Sequence, residues 1–403
     1  MSLEEQQRLE DKYLMHTINR LPVEFVRGFG MHLWDDKGKQ YADFLGGIAV
    51  CSLGHCDPDV VKAVQDQAAQ LMHVSNYFYI EHRGEVAKEL SDLLDREAPA
   101  DKATGWRTFF ANSGAEANEC AIKLVRMHAH NTHSGATKIV VLKNSFHGRT
   151  METLAATAQP EKQEAFQPMP GGFIVTPIND LDALQHLFDQ ESNQIAGMLV
   201  ECIQGESGVH PCTPEFLQKA EELTHSVGGL FVCDEVQCGM FRTGKAFGFQ
   251  NYGIVPDVVA MAKAIANGFP MGACAARGEA ADDFGPGDHG STFGGSNLAI
   301  AACAATLPKL ADPALAKNVQ MTGAYLREQL AKLPAVVQVR GLGLMVGCDL
   351  DEKYNACEVV SKALDEGFVL NATGPSTLRF VPPLICSISD IDELIVALGK
   401  MLV

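Results

Sequence analysis

Short apolar runs alternate with longer stretches of helical periodicity from about residue 105 to residue 280. The runs at 107–111, 138–142, 196–201, 230–234, 258–261 and 272–276 are too short for helices and read as buried strands. The stretches 115–128 and 214–226 repeat their apolar positions with helical spacing. Strands alternating with helices predict a mostly parallel central sheet covered on both faces. A glycine- and aspartate-rich break follows at 282–290. Beyond it, helices are expected at 296–307, 318–333, 357–367 and 390–402, with strands at 336–340, 342–349 and 378–381. The opening segment carries a strand pair, 25–28 and 32–35, around a glycine turn. The fold class is therefore α/β: a large domain over 56–285, a smaller α+β domain over 286–403, and an N-terminal segment, 1–55, that joins the small domain.

Composition narrows the function classes. A chain of 403 residues that is 46% apolar and 20% charged is ordinary globular material with room for a sizeable core. Its net charge of −18 argues against nucleic acid and against an anionic membrane as partners. The twelve cysteines form no CxxC pair, which favours reduced thiols over a disulfide framework. His128, His130 and His133 lack a completing acid or cysteine, so no metal site is expected and the three read as a solvated helix end. The acidic, polar N-terminus does not look like a targeting segment, and no apolar run approaches the ~18 residues of a membrane span. A cytoplasmic location is expected.

Five stretches carry candidate chemistry. Asp234 closes an apolar strand, where an acid needs a partner. Lys263 follows the apolar run 258–262, where a lysine is either desolvated for chemistry or snorkels to solvent. Taken together, an acid for a pyridine nitrogen and a lysine for a Schiff base are the two protein groups that pyridoxal phosphate requires. Ser113, Gly114 and Ala115 open a helix directly after a strand, which suits a phosphate, although Ser113 with Glu116 is also a plain capping box. Phe146 can cover a planar ring, and Arg149 can grip a carboxylate or serve as a surface ion-pair partner. The stretch 289–296, with Ser291 and Thr292, can wrap a phosphate or simply turn into the next helix. Gln237 is placed to donate to a ring hydroxyl oxygen.

In this order and spacing, these strings resemble the class III, fold-type I pyridoxal-phosphate-dependent aminotransferases along nearly the whole chain. Arg20-Leu21-Pro22-Val23, the stretch from Asp43-Phe44-Leu45-Gly46-Gly47 to Leu53-Gly54-His55, and Leu71-Met72-His73-Val74-Ser75-Asn76 are most similar to members that act on N-acetylornithine. The resemblance implies that Lys263 carries the cofactor, Asp234 pairs with its ring nitrogen, Gln237 with its ring hydroxyl, and Phe146 stacks on it. Ser113, Gly114 and Ala115 would hold the phosphate. Thr292 would reach the phosphate of a partner subunit's cofactor, in a homodimer with shared active sites. Arg149 and Ser291 would meet the substrate. Glu206 would be an acid that exchanges partners with an arginine, matched to Arg340. The implied reaction moves the side-chain amino group of N2-acetyl-L-ornithine to 2-oxoglutarate, a step of arginine biosynthesis. Succinylornithine, ornithine and 4-aminobutyrate are the alternative donors, and a non-catalytic binding protein on the same fold is the alternative class. Ile18 and Ile48 are expected to make the mouth apolar, which favours an acylated side chain.

Overall fold

The computed structural model describes residues 2–402. Its centre is a seven-stranded sheet. In spatial order the strands are Trp106–Ala111, Gly272–Arg277, Val258–Met261, Leu230–Asp234, Ile195–Val200, Lys138–Leu142 and Phe173–Thr176. All neighbours are parallel except at Gly272–Arg277, which runs against both of its partners. The period-two alternation of a strand sends successive side chains into two cores. Val140, Leu142, Met198, Val200, Phe231 and Val259 pack on one face. Ile139, Val141, Leu199, Leu230, Val232 and Val258 pack on the other. Burial on both faces is why these strands are continuous apolar runs rather than alternating ones.

Helices cover the sheet, and their starts follow from local chemistry. Asp57 caps Pro58–Gln70 by accepting from the amides of Asp59 and Val60, with proline at the first helical position. Thr213 caps Pro214–Ser226 in the same way through Phe216 N. The sequence pattern missed the edge strand Phe173–Thr176 and the helices Leu3–Tyr13, Pro58–Gln70, Arg83–Asp95 and Leu181–Glu191. His128 also departs from expectation. It turns inward, with Nδ1 2.7 Å from Asp283 Oδ2, while His130 and His133 stay exposed. Among the described residues no group of three His, Cys, Asp or Glu side chains is placed to hold a metal, and no single helix is long and apolar enough to cross a membrane.

The C-terminal unit is a four-stranded sheet, ordered Val336–Leu342, Met345–Leu350, Thr377–Phe380, Asn371–Ala372, packed with Pro313–Leu330, Ala356–Asp365 and Ile388–Met401. Asn297–Leu310 does not belong to it. That helix packs on Pro58–Gln70 and on the turn at Lys263, so the large unit extends past residue 286 and the smaller one starts near residue 313. The N-terminal strands Phe25–Phe29, His32–Asp35 and Gln40–Asp43 form a sheet that Phe368–Val369 completes in parallel. After that sheet, Gly46, Gly47, Ile48 and Ala49 stand at φ 57°, 65°, 63° and 61°, a left-handed turn that is costly for a β-branched residue.

Candidate active site

The carboxyl ends of the parallel strands converge on one cavity of about 370 Å³. Asp234 ends its strand buried at the cavity floor, paired in register with Ala260 of the strand that precedes Lys263. Its Oδ1 accepts from Val236 N at 3.0 Å. Its Oδ2 accepts from Asn118 Nδ2 at 2.7 Å and lies 2.8 Å from His147 Nδ1. Asn118 Oδ1 and His147 Nε2 are buried with no hydrogen-bond partner among the described residues. The carboxylate is thus held in one orientation.

Lys263 begins the turn after Val258–Met261 at φ 52°, a left-handed backbone that is strained for a residue with a side chain. Asn267 locks that turn from the far side: its Oδ1 accepts from Leu53 N at 2.8 Å and its Nδ2 donates to Gly54 O at 3.1 Å. Burial lowers the Lys263 amine below the usual lysine range; the negative charge of Glu206 opposes this and the charge of Arg379 adds to it. The amine is therefore neutral more readily than a surface lysine.

At the opposite end, Ser113 Oγ caps Gly114–Asn131 by accepting from Glu116 N at 3.2 Å. Glu116 does not complete a capping box; its carboxylate accepts from Asn112 N instead. The first-turn amides of Gly114 and Ala115 line the cavity where a helix start favours an anion. Backbone is packed closely there. A Cβ on Gly114 would stand 2.7 Å from Val236 Cγ1, and one on Gly272 would stand 2.2 Å from Ser113 O.

Phe146, His147, Gly148 and Arg149 form one wall. Phe146 N donates to Glu201 Oε2 at 2.8 Å, and Glu201 also accepts from Gly205 N at 3.3 Å. Burial, reinforced by the charge of Asp234, raises the Glu201 carboxyl well above its usual range. Arg149 is exposed at the rim, with its guanidinium 5.6 Å from the centre of the Phe146 ring, and it has no ion pair among the described residues.

Glu206 is placed differently from the sequence expectation. Its partner is Arg379, not Arg340: Arg379 Nη1 donates to Glu206 Oε1 at 2.6 Å. The same nitrogen also reaches Gly205 O at 3.2 Å and Gln237 Oε1 at 3.2 Å, while Gln237 Nε2 donates to Glu206 Oε1 at 3.1 Å. Burial pushes the Glu206 carboxyl up, but Arg379 outweighs it and holds the group below the carboxylate range. The cause of the misassignment is visible in the register. Gly347 pairs with Arg340 on one side and Arg379 on the other, so the two arginines flank it on one face of the sheet. Arg340 stands one strand farther out. There it binds Asp349 and donates to Gly208 O at 2.9 Å.

Ser291 and Thr292 line a neighbouring open cavity with His73, Tyr77 and Tyr79, outside the Lys263 cavity. Ser291 reaches the site only through Asn112, whose Nδ2 donates to Ser291 Oγ at 3.1 Å. Ile18 and Ile48 do not line the Lys263 cavity; Val50 does. The sequence reading missed Asn118, His147, Glu201 and Arg379. Asn118 follows Ser113–Ala115 on the same helix and His147 follows Phe146 directly, and Arg379 interrupts a fully buried strand, itself a signal that a charge is wanted there.

A planar pyridine ring with a phosphate fits these groups. The cavity is lined by a carboxylate held in one orientation, a helix start, an aromatic ring and a buried amine. The family model described as Aminotransferase class-III matches residues 14–402. The chain is 44% identical to the acetylornithine aminotransferase of Caldanaerobacter subterraneus subsp. tengcongensis, over 98% of each protein. A solved ornithine aminotransferase from Toxoplasma gondii, described with partial occupancy of PLP at its active site, superposes with a TM-score of 0.92 at 29% identity, covering all of this chain and 94% of that one. The acetylornithine aminotransferase of Elizabethkingia anophelis superposes at 0.86 with 30% identity, covering 100% and 99%. With the match running along nearly the whole chain and the cavity suited to the cofactor, the chain belongs to the class-III aminotransferases, transaminases that work with pyridoxal phosphate.

Proposed function

We propose that this chain transfers the side-chain amino group of N2-acetyl-L-ornithine to 2-oxoglutarate, giving N-acetyl-L-glutamate 5-semialdehyde and L-glutamate, as a cytoplasmic homodimer in arginine synthesis. The observation that carries the reading is the Glu206–Arg379 pair beside Gln237. One site must take a substrate with a neutral acylated arm and another with a second carboxylate. With Glu206 covering Arg379, the positive charge is neutralised and the site suits the acylated arm. With Glu206 turned away, Arg379 can grip a carboxylate.

The residues divide the work. Bound pyridoxal phosphate supplies the electron sink that makes the proton on the amine-bearing carbon acidic, and it carries the amino group between the two half-reactions. Asp234, held by Asn118 and His147, would pair with the ring nitrogen. Gln237 would serve the ring hydroxyl. The Ser113–Ala115 helix start would receive the phosphate, and Phe146 would lie against the ring. Lys263 Nζ would anchor the cofactor and serve as the base for the proton on the substrate carbon; burial favours the neutral form a base must have. Arg149, free at the rim, receives the substrate α-carboxylate.

The dimer reading rests on an exposed apolar surface. Met72, Tyr77, Phe78, Tyr79 and Phe293 are all exposed, and Tyr77 and Tyr79 border the cavity that holds Ser291 and Thr292. A second copy over this surface brings Thr292 toward the partner's cofactor phosphate.

Single-turnover half-reactions with acetylornithine, succinylornithine, ornithine and 4-aminobutyrate test the substrate. Acetylornithine is expected to be the fastest amine. Ornithine in first place would favour the activity named for the Toxoplasma structure and sink this reading.

A further inference from the structure

Arg242 carries a charge for which the mechanism above has no use. It is 1% exposed, and among the described residues no carboxylate lies within ion-pair distance of it. An arginine buried this way is costly unless its position requires it. Its donors go to neutral oxygens on three separate segments. Nη1 donates to Leu344 O at 3.1 Å and to Pro382 O, and Nη2 donates to Ser52 Oγ at 3.1 Å. Nε is buried and unpartnered. The backbone that delivers it is strained: Met240 and Phe241 stand at φ 52° and 63°. Burial lowers the guanidinium to about 9.

These contacts fall beside residues of the site: Ser52 follows Val50, which lines the Lys263 cavity, and Pro382 follows the strand of Arg379. Pro382 follows the strand Thr377–Phe380 that carries Arg379. Ser52 follows the left-handed turn at Gly46–Ala49. The two segments are already joined by Val381 N to Phe44 O at 3.0 Å and Leu384 N to Ser52 O at 2.7 Å. Arg242 ties this joined unit to the segment that descends from Asp234 through Gln237. We infer that Arg242 is a positioning residue for substrate recognition: it fixes where Arg379 and the Gly46–Ala49 turn stand relative to the cofactor-binding floor. The inference rests on the proposed use of Arg379 as the second-carboxylate site. A strut alone would explain stability but not why its contacts fall next to the segment of Val50 on one side and of Arg379 on the other.

The test uses the holoenzyme of R242Q, R242K and S52A, with each half-reaction measured separately under single turnover. R242Q is expected to weaken 2-oxoglutarate and glutamate binding about tenfold, while the limiting rate with the amine donor changes less than about threefold. S52A, which keeps the charge and removes one contact, is expected to shift the same ratio by up to about fivefold, and R242K to recover part of the R242Q loss. Equal losses in both half-reactions that track a lowered thermal midpoint would reduce Arg242 to a structural strut and overturn the inference. If R242Q does not fold, S52A decides, and an unchanged ratio in S52A overturns it as well. The ratio is read with whichever amine the wild type accepts. Failure with acetylornithine therefore counts against the substrate proposal and leaves this one standing or falling separately.

Discussion

Glu206 Oε1 lies 2.6 Å from Arg379 Nη1, while Gln237 holds both of them. Glu206→Gln removes the charge but keeps the shape. Arg379 is then left with a net positive charge, so the glutamate and 2-oxoglutarate half-reaction should gain relative to the acetylornithine one, by about tenfold in the ratio of their second-order rate constants. An unchanged ratio would rule out the exchange of partners.

Arg379 and Arg340 should separate cleanly. Arg379→Ala is expected to cost 2-oxoglutarate about a hundredfold or more in kcat/KM, the scale of losing a buried charged partner. Arg340→Ala removes the pair with Asp349 and the bond to Gly208 O. Its effect should appear as lower thermal stability with little selectivity between substrates. The reverse pattern would restore Arg340 to the substrate role that the sequence suggested.

Gly205→Ala probes Gln237 without replacing it. The added Cβ would lie 2.2 Å from Gln237 Oε1, the far end of a flexible side chain that can move away. Stability should change by less than about 1 kcal/mol, but Gln237 must leave Arg379 and Glu206. Turnover should fall about tenfold and the cofactor's visible band should shift. A large drop in melting temperature with a native spectrum would contradict this.

His55 makes stability depend on pH. Burial works against its charge, but the hydrogen bond to Asp43, 2.7 Å away, and the neighbouring Cys51 sulfur outweigh it, and the imidazole is pushed up to about 10. The folded chain therefore keeps a proton that an unfolded histidine loses near pH 6.5. The stabilisation is complete below about pH 6.5 and fades as pH rises toward about 10. Denaturant unfolding across that range should show a falling stability whose slope is shallower in Asp43→Asn. Identical slopes in both proteins would dismiss the coupling.

Much of this was legible in the chain. The buried strands announced themselves because both of their faces are covered, which leaves unbroken apolar runs such as 138–142 and 230–234. The edge strand Phe173–Thr176 is only partly covered, and its apolar run stops after three residues at Thr176. Lys263, Asp234, Gln237, Phe146 and Ser113–Ala115 do share one cavity. Arg379 left one local trace, a charge inside an apolar strand, but its partners come from pairing across Gly347 and from a loop folded back from residue 205, which have no local signature. His147 and Asn118 escaped for a related reason. They act on Asp234 rather than on the ligand, and only three-dimensional proximity reveals that.

The close packing at Ser113 has one more consequence. There Gly272 meets Ser113 backbone to backbone, and Gly294 meets Phe110 O in the same way. No side chain intervenes at these two contacts, so a substitution at either glycine collides with backbone. Glu206, Gln237 and Arg379, by contrast, meet through side chains from separate segments. A change of substrate in this architecture is therefore easier to reach through those side chains than through the backbone contacts at Gly272 and Gly294, which stay fixed while the rest varies.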